Sequence, residues 1–472
     1  MEQRAKPTSP AAPPGDTIAA QATPPGRGGV GIIRISGPAS REVAQTLFVP
    51  ARPEVTELRP YRLHHGHLRT PAGRMLDEAM AAFMPGPGSY TGEDTVEFFC
   101  HGSPAVLAAV LAAVLAAGAR PAGPGEFTKR AFVNGRLDLS QAEAVGELIA
   151  ARADTEVDLA LTRLDGAMGR SARALREGLD GLRAGICLAV DFPEEDVECL
   201  PPEAFAAQVA TVIQQLDGLL AANRRARPFR LGARVALFGR VNAGKSSLFN
   251  ALLGRDRALV ADRPGTTRDF LEEGIDLDGL AVTLTDMAGL RETDDAVEQA
   301  GKERGLDLSR TADLGLYVVD GATPWQPDPE ARTVIDALTP PKILVVATKA
   351  DLPPAEPDPA GGLADQGLAV VRVSAHTGQG IAALTDAMRE RLLAGDGPPE
   401  PGVPAPNERE AASLAAARQE LADLLTDIRA GLPYDLLGVR LETACRLLGD
   451  ITGESTPDEV LAAVFDRFCI GK

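Results

Sequence analysis

Residues 234–250 read RVALFGRVNAGKSSLFN. An apolar run leads into a glycine loop, and the loop leads into a helix-forming stretch. Gly239–Ser246 matches G-x-x-x-x-G-K-[ST], in which glycines let backbone amides face phosphates. Lys245 then reaches the β- and γ-phosphates, and the Ser246 hydroxyl reaches Mg²⁺. The strand before the loop and the helix after it are the context this motif requires, so the stretch predicts an α/β P-loop unit. Asn242, Ala243, Gly244, Lys245, Ser246 and Ser247 are its candidate phosphate contacts. Asn242 reads either as a turn residue or as a side chain able to hold a cation beside the phosphates.

Three later motifs select the nucleotide. TDMAGL (285–290) places D-x-x-G at the end of the strand-like AVTLTD. Asp286 can hold Mg²⁺ through water and the Gly289 amide can meet the γ-phosphate, with Met287 and Ala288 between them. KILVVATKAD (342–351) ends in T-K-x-D, formed by Thr348, Lys349 and Asp351. The Asp351 carboxylate offers two acceptors to the N1–H and N2–H₂ donors of guanine, a pair that adenine lacks. VRVSAHTGQG (371–380) brings Ser374, Ala375 and His376 to the base O6 through their backbone. Each motif follows a strand, in the chain order a doubly wound sheet requires. Leu290 stands where Ras-like proteins carry a water-orienting glutamine, so hydrolysis needs another group.

Outside this unit, 472 residues suggest about three domains. Apolar residues make up 44% and aromatics only 4%, so the cores are aliphatic and Ala-rich, which suits helices. A net charge of −18 excludes a general nucleic-acid coat, and RNA contact must come from a local basic patch. Five cysteines without a C-x-x-C pair argue against a disulfide framework and a zinc site, and fit a reducing cytoplasm. The longest apolar run, AVLAAVLAAVLAA (Ala105–Ala117), is too short to span a bilayer and repeats every four residues, as a buried core helix does.

Composition shifts along the chain predict five segments. Residues 1–15 are a Pro-rich, disordered leader; residues 16–134 are an α+β domain; residues 135–230 are helical. Residues 231–394 hold the P-loop unit, and residues 395–472 are helical again. Ser140 with Glu143 predicts a capping box. Thr456, Pro457 and Glu459 predict the cap, first-turn proline and box partner of the last helix. RRARPFRLGAR (224–234) reads as a basic hinge, either a solvated linker or a tRNA contact, and GDGPPEPGVPAPN (395–407) as a second linker. The two helical blocks are expected to pack as one domain, with the α/β unit inserted between them in the chain.

The chain ends in FCIGK. Cys469 lies four places from the end, as in a prenylation box, but Gly471 is not aliphatic and Lys472 is not a usual terminus for one. Cys469 reads either as a small buried residue or as a reactive thiol beside Lys472.

DTIAAQATPPGRGGVGIIRISG (16–37), SYTGEDTVEFFCHGS (89–103), PGEFTKRAFVNGRLDLSQAEAV (124–145), GTTRD (265–269) and FCIGK together resemble the MnmE (TrmE) family of bacterial and organellar tRNA-modifying GTPases. The resemblance covers about residue 16 to 472 in three domains. It implies a folate-binding, dimer-forming N-terminal domain, a helical domain and an inserted Ras-like GTPase domain. It also implies a flavoprotein partner, MnmG (GidA), which carries FAD. The pair adds an aminomethyl or carboxymethylaminomethyl group at C5 of the wobble uridine of certain tRNAs. The one-carbon unit comes from 5-formyl- or methylene-tetrahydrofolate. No membrane anchor is expected.

The resemblance assigns further residues. The GTPase domains pair in a GTP- and K⁺-dependent way, with Asn242, Ala261, Arg263 and Thr266 as K⁺ ligands. K⁺ supplies positive charge where other GTPases use an arginine finger. Ser246 and Thr267 fall on the Mg²⁺ positions, and Glu298 on the residue that orients the attacking water. Glu298 and Lys245 are the implied catalytic residues. Arg34, Glu97, Arg136 and Lys472 fall on the folate positions; read alone, both arginines are surface charge. Met287 and Thr348 stand where the family usually has threonine and asparagine, and Arg263–Pro264 in the K⁺ loop is a further departure. Two other readings compete: a ribosome-assembly switch, which the GTPase motifs alone allow, and a GTPase anchored through the tail cysteine.

Overall fold

The computed structural model describes residues 15–191, 201–255, 258–259, 271–286, 312–324, 335, 342–393 and 397–472. The leader therefore lies outside the described residues except for Gly15. The chain forms two compact units. The first comprises residues 1–146, 163–216 and 412–472; the second comprises 147–162 and 217–411.

The first unit opens with β1 (Ile18–Gln21), β2 (Val30–Ser36), α1 (Ser40–Leu47), β3 (Phe48–Pro50), β4 (Leu63–Arg69), β5 (Met75–Met84) and β6 (Thr95–His101). Then come α2 (Pro104–Ala116), the short β7 (Arg120–Pro121) and α3 (Glu126–Val133). The seven strands form one sheet in the order β3-β4-β5-β6-β2-β1-β7. Alternation decides its faces: Ile33, Ile35, Val96, Phe98 and Cys100 are buried, and their sequence neighbours point the other way. On the buried face α2 seats Leu107, Val110 and Val114. Its alanines at 105, 108, 112 and 116 stay exposed, so α2 is sorted by side-chain size rather than by polarity. On the opposite face α3 sends Phe127 against Ile18 and Ala20 of β1.

The helices α4 (Leu139–Ala150), α5 (Asp154–Leu164), α6 (Ala167–Asp191) and α7 (Pro202–Leu231) follow. The box that caps α4 is not Ser140 with Glu143. Asp138 and Gln141 exchange the two bonds, at 3.0 Å from the Asp138 amide to Gln141 Oε1 and 2.9 Å from the Gln141 amide to Asp138 Oδ1. Ser140 sits two residues past the cap, inside the first turn, and is fully buried, with Leu139 and Ala142 on the apolar face.

The predicted hinge at 224–234 is also corrected. α7 runs through Arg224–Arg230 with Pro228 inside it. An internal proline costs about 3 kcal/mol. Burial of Phe229 and Ala226, both fully inaccessible, returns a similar amount at about 2–3 kcal/mol for the phenyl ring alone. Arg224 and Arg227 are exposed and Arg225 and Arg230 half-buried, and Arg225 and Arg227 pair with Glu400 and Glu408 at 3.5 and 3.2 Å.

The second unit continues with β8 (Ala233–Phe238), α8 (Lys245–Arg255), β9 (Ala258–Leu259), β10 (Leu271–Leu277), β11 (Leu280–Asp286), β12 (Leu314–Asp320) and β13 (Ile343–Thr348). It closes with α9 (Pro359–Ala364), β14 (Val370–Arg372) and α10 (Ile381–Leu392). The sheet order is β14-β13-β12-β8-β11-β10-β9. β14, β13, β12, β8 and β11 are parallel, and β10 and β9 are antiparallel additions. The parallel strands read as near-continuous apolar runs because both faces are covered. β8 lies between β11 and β12, so strand order reverses there, which is where an open α/β sheet forms its crevice. The second predicted linker is packed: Ala405 is buried in this core and the Asn223 side chain donates to the Pro406 carbonyl at 2.7 Å.

α11 (Glu408–Arg429), α12 (Tyr434–Thr452) and α13 (Asp458–Phe465) end the chain. α12 packs along α6 within the first unit. Thr456 does not cap α13; its hydroxyl donates to the Asp450 carbonyl at 3.0 Å, and Pro457 occupies the cap position. Among the described residues, no helix is long and apolar enough to cross a membrane.

Candidate functional site

The carboxyl ends of the parallel strands bring the predicted nucleotide residues to one edge of the second unit. β8 ends at Phe238, and the loop that follows turns into α8 at Lys245. Asn242 holds φ +63° in that turn and its side chain is exposed. Lys245 is buried, with its ammonium donating to the Gly239 and Arg240 carbonyls at 2.8 and 2.7 Å. That fold-back holds a cation inside the loop, within reach of an arriving phosphate. Ser246 and Ser247 are exposed on the first turn of α8, where amides and the helix dipole favour an anion. Asp286 ends β11, next to β8, and is 5% exposed. A hydroxyl and a carboxylate at this edge are hard oxygen donors of the kind Mg²⁺ takes.

On the other side of β8, β12 and β13 end at Asp320 and Thr348, which are paired in register. Lys349 holds φ +59° and bonds Asp320 at 2.6 Å. Asp351 is exposed, and a hydrogen bond from the Ser374 hydroxyl holds its carboxyl below the usual carboxylate range, helped by the charge of His376. Ser374 is fully buried; Ala375 is half-buried and His376 exposed. The Ala350 amide donates to the Val373 carbonyl at 3.0 Å, so the two base-side loops are joined. Ala261, Arg263, Thr266, Thr267, Met287, Ala288, Gly289 and Glu298 lie outside the described residues.

The residues expected at a folate site lie in the first unit. Arg34 and Glu97 face each other across β2 and β6, with Nε to Oε1 at 2.7 Å. The Arg34 guanidinium lies over the Tyr90 and Phe127 rings, 5.6 Å from each centroid. The C-terminal tail reaches the same helix: the Phe127 amide donates to the Lys472 carbonyl at 3.2 Å, and Ile470 forms a bridge with Pro124. Arg34, Glu97 and Lys472 are thus linked through Phe127. Arg136 is placed differently, in the lining of a cavity of about 1350 Å³ together with Lys129, Arg130 and Glu126. Glu126 is driven down to about 2: burial opposes its charge, but bonds from Arg120, the Gly123 amide and Arg130 outweigh it.

No local signal in the sequence marks this Asp16–Arg120–Glu126–Arg130–Glu93 network, because its members are spread over 115 residues and meet only in the fold. Cys469 is exposed, whereas burial pushes the Cys100 thiol up to about 12 and that of Cys445 up to about 11.

Residues 139–469 match the family model of the MnmE helical domain, and residues 17–136 match that of the GTP-binding protein TrmE N-terminus. A relative from Nitratidesulfovibrio vulgaris, a tRNA modification GTPase MnmE, is 53% identical over 97% of this chain and 99% of its own. Proteins of the same name from Thermus thermophilus and Lawsonia intracellularis are 44% and 43% identical over 97% of this chain, covering 99% and 100% of theirs.

Proposed function

The chain belongs to the MnmE family of tRNA modification GTPases, a GTP hydrolase that serves tRNA modification, and on that premise we propose how its residues divide the work. The observation that carries the proposal is the single sheet edge that gathers Lys245, Asp286, Thr348, Asp351 and Ser374. Asp351 accepts from guanine and stays anionic, the 374–376 loop meets the base O6, and Lys245 exchanges loop carbonyls for phosphate oxygens. Ser246 and Thr267 would hold Mg²⁺. Asn242, Ala261, Arg263 and Thr266 would hold K⁺; of these only Asn242 is described, and its exposed amide in a left-handed turn suits that role. Bound there, K⁺ offsets charge developing between the β- and γ-phosphates. Glu298 orients the attacking water, the task Leu290 cannot perform.

The reading extends to the first unit. Arg34, Glu97, Arg136 and Lys472 serve a tetrahydrofolate whose one-carbon unit is passed to C5 of the wobble uridine. Support comes from Arg34 held between two rings beside a carboxylate, with the tail docked next to it. The protein works as a homodimer with the flavoprotein MnmG, and GTP hydrolysis drives pairing of the GTPase domains and the conformational change that follows. The domain limits proposed are those set out from the sequence, except that helix continues through 224–231.

The test is mass spectrometry of tRNA nucleosides from cells lacking this protein. Loss of the C5-substituted wobble uridine, restored by wild type and not by Lys245→Ala, is the expected result. An unchanged nucleoside profile would overturn the proposal.

A further inference from the structure

We propose that Tyr90 is a positioning residue whose ring fixes the Arg34 guanidinium and leaves its two Nη groups free for a ligand. The inference rests on reading Arg34 and Glu97 as part of a tetrahydrofolate site. Arg34 on β2 is held from two directions. Its Nε donates to Glu97 Oε1 on β6 at 2.7 Å, and the two side chains are 17% and 15% exposed. Its Cζ lies 5.6 Å from the ring centroids of Tyr90 and Phe127, inside the range over which a ring face attracts a cation. Among the described residues, its Nη groups have no hydrogen-bond partner. Their N–H donors form a planar fork, the pattern that fits a carboxylate or another pair of acceptor oxygens.

The two rings differ in what accounts for them. Phe127 is fully buried against Ile18 and Ala20, so core packing explains it. Tyr90 packs on the rim of that cluster, half-buried in the loop between β5 and β6. This loop is pinned residue by residue. The Tyr90 hydroxyl shares a hydrogen bond with Thr128 Oγ1 on α3 at 2.9 Å, and Thr128 is fully buried. Thr91 shares one with Ser36 at 2.7 Å, and its carbonyl accepts from the Asn134 side chain at 2.8 Å. Glu93 accepts from Arg130 at 3.0 Å. The ring is therefore fixed independently of Arg34, and the guanidinium takes its place from the ring.

A residue that acts through Arg34 has a signature that damage to a pocket lacks. Its effect disappears once the fork is gone. The experiment is calorimetric titration of the full chain with 5-formyl-tetrahydrofolate. It compares wild type, Tyr90→Phe, Tyr90→Leu, Arg34→Lys, and Arg34→Lys combined with Tyr90→Leu, with GTP hydrolysis measured on the same preparations.

Tyr90→Leu should weaken binding about tenfold, the scale of a partly desolvated contact between a cation and a ring. Tyr90→Phe keeps a ring face and should stay within about twofold of wild type. Lysine is a point charge without a fork, so Arg34→Lys should bind weakly, and adding Tyr90→Leu should change it by less than about twofold. Basal GTP hydrolysis should be unchanged in both Tyr90 variants. Wild-type affinity in Tyr90→Leu would overturn the proposal. So would the same loss on adding Tyr90→Leu to Arg34→Lys, or a Tyr90→Phe variant as weak as Tyr90→Leu. If Tyr90→Leu does not fold, Tyr90→pentafluorophenylalanine takes its place, because it keeps the ring shape and removes the negative face. Affinity equal to that of Tyr90→Phe would then overturn the proposal. A wild-type chain that hydrolyses GTP but binds no 5-formyl-tetrahydrofolate would overturn the tetrahydrofolate reading, and the proposal with it.

Discussion

A Cβ placed on Gly471 would stand 2.1 Å from the Gln21 carbonyl oxygen, so the end of the chain lies flush against the end of β1. Gly471 holds φ +100°, a conformation other residues rarely take. The backbone on either side is tied down by the Gly125 amide to Cys469 and the Phe127 amide to Lys472, at 3.4 and 3.2 Å.

Gly471→Ala should therefore lift the tail from the N-terminal sheet. Hydrogen exchange at the Phe127 and Gly125 amides should speed up markedly, while β2 and β6 keep their protection. Unchanged exchange at Phe127 would show that the seat tolerates a side chain.

Asp351 provides a pH-dependent prediction. Its carboxyl is held low by the Ser374 hydroxyl, and base recognition needs the anion, so GTP affinity should persist as pH falls until it passes through that lowered value. Ser374→Ala removes the bond, and affinity should begin to fall at a higher pH than in wild type. Asp351→Asn should shift preference toward XTP, because an amide can donate to the extra carbonyl of xanthine. Titrations of GTP and XTP between about pH 3 and 7 check both statements; a Ser374→Ala profile superimposable on wild type would refute the first.

Glu298→Ala should slow hydrolysis at saturating GTP by about 100-fold, the usual scale for a positioned acid–base group, and leave GTP binding intact. Single-turnover hydrolysis beside equilibrium binding separates the two effects. Unchanged turnover would remove Glu298 from the mechanism.

Glu156 in α5 is 8% exposed, and its Oε1 has no hydrogen-bond partner; Oε2 accepts from the Arg152 amide at 2.9 Å. Burial pushes its carboxyl up, the Arg152 bond and charge oppose this, and Asp276 adds to the rise. A carboxyl raised in the folded state favours folding at acid pH, and that stability is lost as pH rises through the raised value. Glu156→Gln should stabilise the second unit by about 1 kcal/mol at neutral pH, with the advantage closing below the ordinary carboxylate range. Urea unfolding at acid and neutral pH would show it, and a gap that widens in acid would contradict the sign.

The nucleotide edge was legible because each of its motifs is short and local. Asp351 and Lys349 are two residues apart, and the strand that aims them is a continuous apolar run. What the sequence hid was decided by partners far along the chain. The arginines of 224–230 look like a solvated linker until Phe229 and Ala226 find a core to fill. Asp138 and Gln141 make as good a capping pair as Ser140 and Glu143. Only the burial of Ser140 against the apolar face of α4 separates the two. The placement of Arg136 in a cavity lined by α3 has no local signal at all.

The bond from Asn223 to Pro406 joins two positions 183 residues apart in the chain. To the helices on either side, the whole nucleotide-reading segment is a loop whose ends meet. Departure and return share one doorway, yet the segment is not self-contained: Leu159 of α5, far upstream in the chain, is buried in its core, so cutting out residues 224–405 would strip that helix of its cover.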